Sequence, residues 1–347
     1  MHLDTLKIEE TPGFTGAYEA ISDSTMSIDD VMALVSGDKA EVDNVIRQRL
    51  HSDVTLVNQL GHYIINSGGK RLRPVLLLLS ARACGYKGYH HIPLSAVVEF
   101  IHTATLLHDD VVDASDLRRG KETANAIWGN EASVLVGDFL YSRAFQMMVE
   151  VGSMQVMEIL SSATNVIAEG EVMQLMNCNE PNTTEETYLE VIRYKTAKLF
   201  EAAAKLGAVI SGRPEGEVEA MSRYGMHLGT AFQLVDDVLD YSSTSEQIGK
   251  NIGDDLAEGK PTLPLIYVMR HGNSQQVNIV RHAIEQGGRD NISQIIEAVV
   301  ATGALDYTYN AARLEAEKAI SFLDILPDSP EKEALISVAE FSVSRTF

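Results

Sequence analysis

The chain has 347 residues, 45% of them apolar, with 28 Lys and Arg against 49 Asp and Glu and a formal charge of −21. Such a surface repels nucleic acid and anionic lipid, so any phosphate site must be a local basic cluster in an acidic field. Two cysteines without a CxxC spacing read as reduced, buried thiols of a cytosolic protein. Scarce proline and no recurring β-branched alternation favour an all-α fold.

Residues 1–25 are polar and aperiodic. They read as a loose extension ahead of a single helical domain over 26–347, with Met26 as a natural alternative start. "MHLDTLKIEE" lacks the basic and apolar regions of a signal peptide, and runs such as "VLLLL" (75–79) are too short to span a bilayer. Ser27 is placed to cap a first helix, with Asp29 and Asp30 in its first turn. Residues 95–113 carry apolar side chains on several faces, as a helix inside a bundle does. Breaks rich in Gly, Pro, Asn or Ser fall at 66–70, 84–88, 117–123, 179–186, 211–217 and 258–264. In the fourth of these, Thr184 precedes Thr187 by three residues, among acids suited to a helix start.

Asp109 and Asp113, four residues apart in "LLHDDVVD", share a helix face, with Asp110 beside them. Three carboxylates so placed repel one another unless a hard cation such as Mg²⁺ sits between them. The alternative is a solvated acidic face. "FQLVDDVLDY" repeats the pattern with Asp236, Asp237 and Asp240, and Gln233 lies on the face of that pair. Aspartates among large apolar residues disfavour an ordinary core helix. Neither stretch has the spacing of a calcium-binding EF-hand loop.

The basic groups are as regular. "GGKRLRP" sets Lys70, Arg71 and Arg73 behind two glycines, a natural grip for diphosphate, although a solvated basic turn would look the same. It lacks the Walker A spacing. Arg118 and Arg119 follow the first triad, Lys195 and Thr196 stand in "YKTAKLF", and Lys250 and Lys260 in "GKNIGDDLAEGKPT". His102, a short way before the first triad, would reach the same cavity or sit as an ordinary core histidine. Two acidic triads and several basic clusters imply two diphosphate substrates handled differently: one gripped through metal and made a leaving group, the other held by Lys and Arg without metal.

Those motifs, in this order over about residues 40–347, resemble the trans-prenyltransferases, the all-α head-to-tail polyprenyl diphosphate synthases. The resemblance implies a large antiparallel helical bundle around a deep cavity, usually a homodimer, using roughly two or three Mg²⁺ ions per site. It implies Asp109, Asp113 and Asp236 as direct metal ligands, with Asp110, Asp237 and Asp240 in support. Lys70, Arg71, Arg73, His102 and Arg119 would bind isopentenyl diphosphate. Arg118, Lys195, Thr196, Gln233, Lys250 and Lys260 would bind the allylic diphosphate. Catalysis would rest on Asp109, Asp113, Asp236, Lys195 and Lys260. The wording is that of long-chain members whose octaprenyl-length product serves membrane enzymes of quinone synthesis. Short-chain members place aromatic residues four or five positions before the first Asp. Here those positions hold Ala104 and Thr105, both small, so the stop is expected deeper, at Met148 among Phe145, Met147 and Met148. A terpene cyclase would lack GGKRLRP and the second full triad. A non-catalytic subunit of a heteromeric synthase is expected to have lost one triad.

Overall fold

The computed structural model describes residues 26–65, 69–118, 120–242, 253–287 and 291–345. Residues 1–25, Arg119 and Lys250 lie outside them. Ser27 does cap the first helix: its hydroxyl accepts from Asp30 N while the Asp30 carboxylate accepts from Ser27 N. From there the chain runs α1 (Ile28–Leu34), α2 (Ser36–Leu50), α3 (Thr55–Ile65), α4 (Leu72–Ala83) and α5 (His91–Val112). A hairpin of two-residue strands, β1 (Leu117–Arg118) and β2 (Lys121–Glu122), leads into α6 (Ala124–Trp128), α7 (Asn130–Val151), α8 (Met154–Asn177) and α9 (Glu185–Ile192). Thr184 caps α9 by accepting from Thr187 N. A π-helical turn, Arg193–Ala197, passes directly into α10 (Lys198–Ile210), followed by α11 (Glu215–Ser242) and α12 (Asp254–Ala257). The chain closes with α13 (Leu263–His271), α14 (Ser274–Gln286), α15 (Ile292–Ala301), α16 (Ala304–Phe322) and α17 (Pro330–Ser344).

The architecture is the expected all-α bundle. The central helices are α4, α5, α10 and α11: α10 lies between α4 and α11, α5 packs on α7, and α11 packs on α16. Val75–Leu79 are all buried, so neighbours cover the middle of α4 on every face. The close seam between α11 and the end of the π turn depends on Gly229, where an added Cβ would stand 2.6 Å from Ala197 Cα. No helix among the described residues is long and apolar enough to cross a membrane.

Candidate active site

The C-terminal end of α5, the last turns of α11, the π turn, the end of α8 and the end of α17 enclose a cavity of about 740 Å³. Both acidic triads line it. In each Asp–Asp pair one aspartate turns inward, and Asp240 of the second triad is buried as well. Asp110 is fully buried and accepts from Arg118 Nε (2.8 Å) and Nη2 (2.6 Å); burial outweighs Arg118 and pushes its carboxyl above the usual range. Asp237, also buried, accepts from the Tyr188 hydroxyl and from Gln233 Nε2 at 2.9 Å. Thr196 in turn donates to Gln233 Oε1 at 3.0 Å. Burial, with the charge of Asp255, raises Asp237 well above the ordinary carboxylate range.

Asp109, Asp113 and Asp236 meet cations. Lys195 Nζ stands 3.5 Å from Asp109 and 2.7 Å from Glu171. Lys260 Nζ stands 2.9 Å from Asp113 and 2.5 Å from Glu258. Asp236 pairs with Arg345 Nη2 at 2.6 Å, and that guanidinium lies over the Phe232 ring. Burial works against charge on both lysines, but the surrounding acids more than offset it and raise both pKa values.

Two backbone features aim these lysines. Lys195 leaves the π turn, a widened turn of the kind that recurs at functional sites. Gly170 lets α8 touch that turn: a Cβ there would lie 2.6 Å from Lys195 N. Lys260 is fixed by its own N–H to Asp255 O (2.8 Å) and by Asn179 N–H to Gly259 O (2.8 Å).

A basic pole lines the same cavity. Arg73 Nη1 donates to His102 Nε2 at 3.2 Å, with its guanidinium over Phe200. Lys70 Nζ sits 4.3 Å from the centre of the Phe341 ring, and burial together with Arg345 lowers its pKa. Arg71 lines the same cavity but is also tied elsewhere. Its backbone is left-handed (φ 50°), and its guanidinium meets Asp43, Ile65 O at 3.0 Å and Glu99 at 3.6 Å, which ties it to the scaffold. Thr105 lines the cavity, whereas Ala104, Met147 and Met148 are fully buried in the core and Phe145 is exposed on α7.

The sequence reading missed Glu171, Glu258, Asp255, Tyr188 and Arg345, all of which line or brace this cavity. Each looks locally like a solvated polar residue, and only tertiary contacts bring it to the triads.

The residues fit hard divalent cations by charge rather than by a ready-made shell. Among the described residues no three His, Cys, Asp or Glu side chains already form a metal cage. Carboxylates crowd the cavity, and burial has raised Asp110, Asp237 and Glu171, a state that a cation bound by oxygen ligands relieves. Glu171, pushed up to about 7 by burial against the pull of Lys195, gives a pH prediction. A carboxyl raised on folding contributes stability that is full below its unfolded pKa and is lost as pH rises through the folded one. The metal-free protein should therefore lose melting temperature between about pH 5 and pH 8, and Glu171→Gln should flatten that slope in thermal denaturation.

An all-α bundle with two carboxylate triads and a basic pole around one cavity is the isoprenoid synthase fold. The chain belongs to the polyprenyl synthetase family, whose model matches residues 54–300. It is 56% identical to octaprenyl diphosphate synthase of Escherichia coli, over 92% of this chain and 99% of that protein. It is 54% identical to the octaprenyl diphosphate synthase of Haemophilus influenzae, over 93% and 98%. Among solved structures, a polyprenyl synthase from Caulobacter crescentus, complexed with calcium and isoprenyl diphosphate, superposes with a TM-score of 0.90 at 46% identity, over 92% of this chain and 98% of that one.

Proposed function

We propose that the protein is a Mg²⁺-dependent trans-prenyltransferase that adds isopentenyl diphosphate repeatedly to an allylic diphosphate, giving an octaprenyl-length chain. The carrying observation is that one cavity is lined by two acidic triads and also by a basic cluster of Lys70, Arg73 and His102. Asp109, Asp113 and Asp236 would hold Mg²⁺, with Asp110, Asp237 and Asp240 behind them. Bound there, Mg²⁺ draws off diphosphate charge and makes it a leaving group.

Lys195, Lys260, Thr196 and Gln233 surround the place of the allylic diphosphate and stabilise the charge that builds as its C–O bond breaks. Arg118 supports that side through Asp110. Lys70 and Arg73, with His102, hold isopentenyl diphosphate so that its double bond faces the allylic cation. The new C–C bond forms from that double bond, and the proton then lost goes to the released pyrophosphate. Apolar walls such as Leu106, Leu199 and Phe200 exclude water from the cation. Incubation with farnesyl and isopentenyl diphosphates plus Mg²⁺ tests the reading: one pyrophosphate should be released per unit added, and no release would overturn it.

Thr105 is the proposed upper gate. Thr105→Phe would push a ring into the cavity and should shorten the products seen by chromatography of the dephosphorylated mixture. Ala104→Phe, aimed into the core, should instead cost about 1–3 kcal/mol of stability. Met148 remains the proposed floor. Ser133 Oγ of α7 meets Leu107 O of α5, so Met148, fifteen residues farther along α7, lies roughly 22 Å from that contact. Met148→Ala should lengthen the product while costing about 2–5 kcal/mol.

A second copy of the chain is the proposed partner for the outer face of α7 and α8, where Leu135, Val149, Val172, Leu175 and Met176 are more than half exposed. A sedimentation mass of one chain would remove that proposal.

A further inference from the structure

Each of the two cavity lysines lies between an aspartate of the first triad and a glutamate outside both triads. Lys195 is 2.7 Å from Glu171 and 3.5 Å from Asp109; Lys260 is 2.5 Å from Glu258 and 2.9 Å from Asp113. In both cases the lysine is nearer the glutamate, but Lys260 already donates to Asp113 at hydrogen-bond distance, whereas Lys195 stands farther from Asp109. The two arrangements are built independently, one through the contact of Gly170 with the π turn and the other through the loop pinned by Asn179. Asp109 and Asp113 have conflicting tasks. A lysine ammonium settled fully on either carboxylate would occupy the oxygens that a divalent cation needs, and would itself be withdrawn from the diphosphate.

We propose that Glu171 is a positioning residue that holds Lys195 off Asp109, leaving that carboxylate open to Mg²⁺ and the lysine directed at the allylic diphosphate. This rests on the functional reading above. Removing Glu171 weakens Mg²⁺ binding in two ways. A negative charge near the metal is lost, and the lysine moves onto the aspartate. Both effects have the same sign, so a single substitution does not separate them; a double-mutant cycle does.

The experiment is calorimetric titration of inorganic pyrophosphate into the full-length protein at a series of Mg²⁺ concentrations. Glu171→Gln is expected to raise the Mg²⁺ concentration for half-maximal pyrophosphate binding about tenfold. In a Lys195→Met background, where no ammonium is left to move, only the lost charge remains, so Glu171→Gln should shift that concentration clearly less. An equal shift in both backgrounds, or no shift in the wild-type background, would overturn the proposal. So would a wild-type protein that binds no pyrophosphate at any Mg²⁺ concentration. Binding is read without turnover, so wild-type protein that follows the expected cycle yet makes no product would contradict the prenyltransferase reading instead.

Discussion

Asp109→Ala and Asp236→Ala are each expected to lower turnover about a thousandfold or more, because metal assistance to a departing diphosphate is worth several kcal/mol and each 1.36 kcal/mol is a factor of ten. Folding should survive both changes. Without Asp109, Lys195 still has Glu171 at 2.7 Å. Without Asp236, Arg345 still donates to Phe232 O at 2.6 Å and Ser342 O at 3.2 Å and stays over the Phe232 ring. Removing one of several crowded carboxylates also relieves repulsion, which offsets part of the lost ion pair. The pattern to look for in steady-state kinetics and thermal denaturation is therefore a collapse of kcat beside a nearly unchanged melting temperature. Near-normal turnover of either variant at saturating Mg²⁺ would remove the metal role from that residue.

Arg73→Ala should act on the other substrate. A charge-assisted hydrogen bond contributes roughly 1.5–3 kcal/mol, which corresponds to about a tenfold to hundredfold rise in KM for isopentenyl diphosphate. Lys70→Ala is expected to do the same. Burial and the nearby Arg345 lower the Lys70 pKa, so an arriving diphosphate both restores its preference for the charged form and gains from it. The KM for the allylic substrate should move much less, since Lys195 and Lys260 are untouched. A raised allylic KM beside an unchanged one for isopentenyl diphosphate would reverse the assignment of the two poles. Arg71→Ala makes a useful contrast. Its guanidinium braces Asp43, Glu99 and the end of α3, so its loss should appear first in stability.

The helical class and both triads were legible in the sequence because they are local. Four-residue spacing places Asp109 and Asp113 on one face whatever the rest of the chain does, and Ser27 and Thr184 announce their helices within three residues. Composition gave no clue to which aspartate of each pair turns inward. Asp110 is committed by Arg118, eight residues on and brought back by the β1–β2 hairpin, and Asp237 by Tyr188, forty-nine residues earlier. Arg345 was invisible for the same reason, since 109 residues separate it from Asp236. Glu171 and Glu258 were within view but had no local signature. An acid in a helix or a loop reads as a solvated group until a buried lysine is found beside it. Arg71 shows the converse. Its place in GGKRLRP suggested a ligand grip, and it does line the cavity, but its ion pairs with Asp43 and Glu99 had no local signal.

Calorimetric binding of each substrate pole with and without Mg²⁺ tests the division of the cavity most directly. The account predicts that a non-ionising thiolo analogue of farnesyl diphosphate binds only when Mg²⁺ is present, whereas isopentenyl diphosphate binds with nearly the same affinity after chelation. Equal dependence of both ligands on Mg²⁺, or binding of the allylic analogue at full strength without it, would contradict the account.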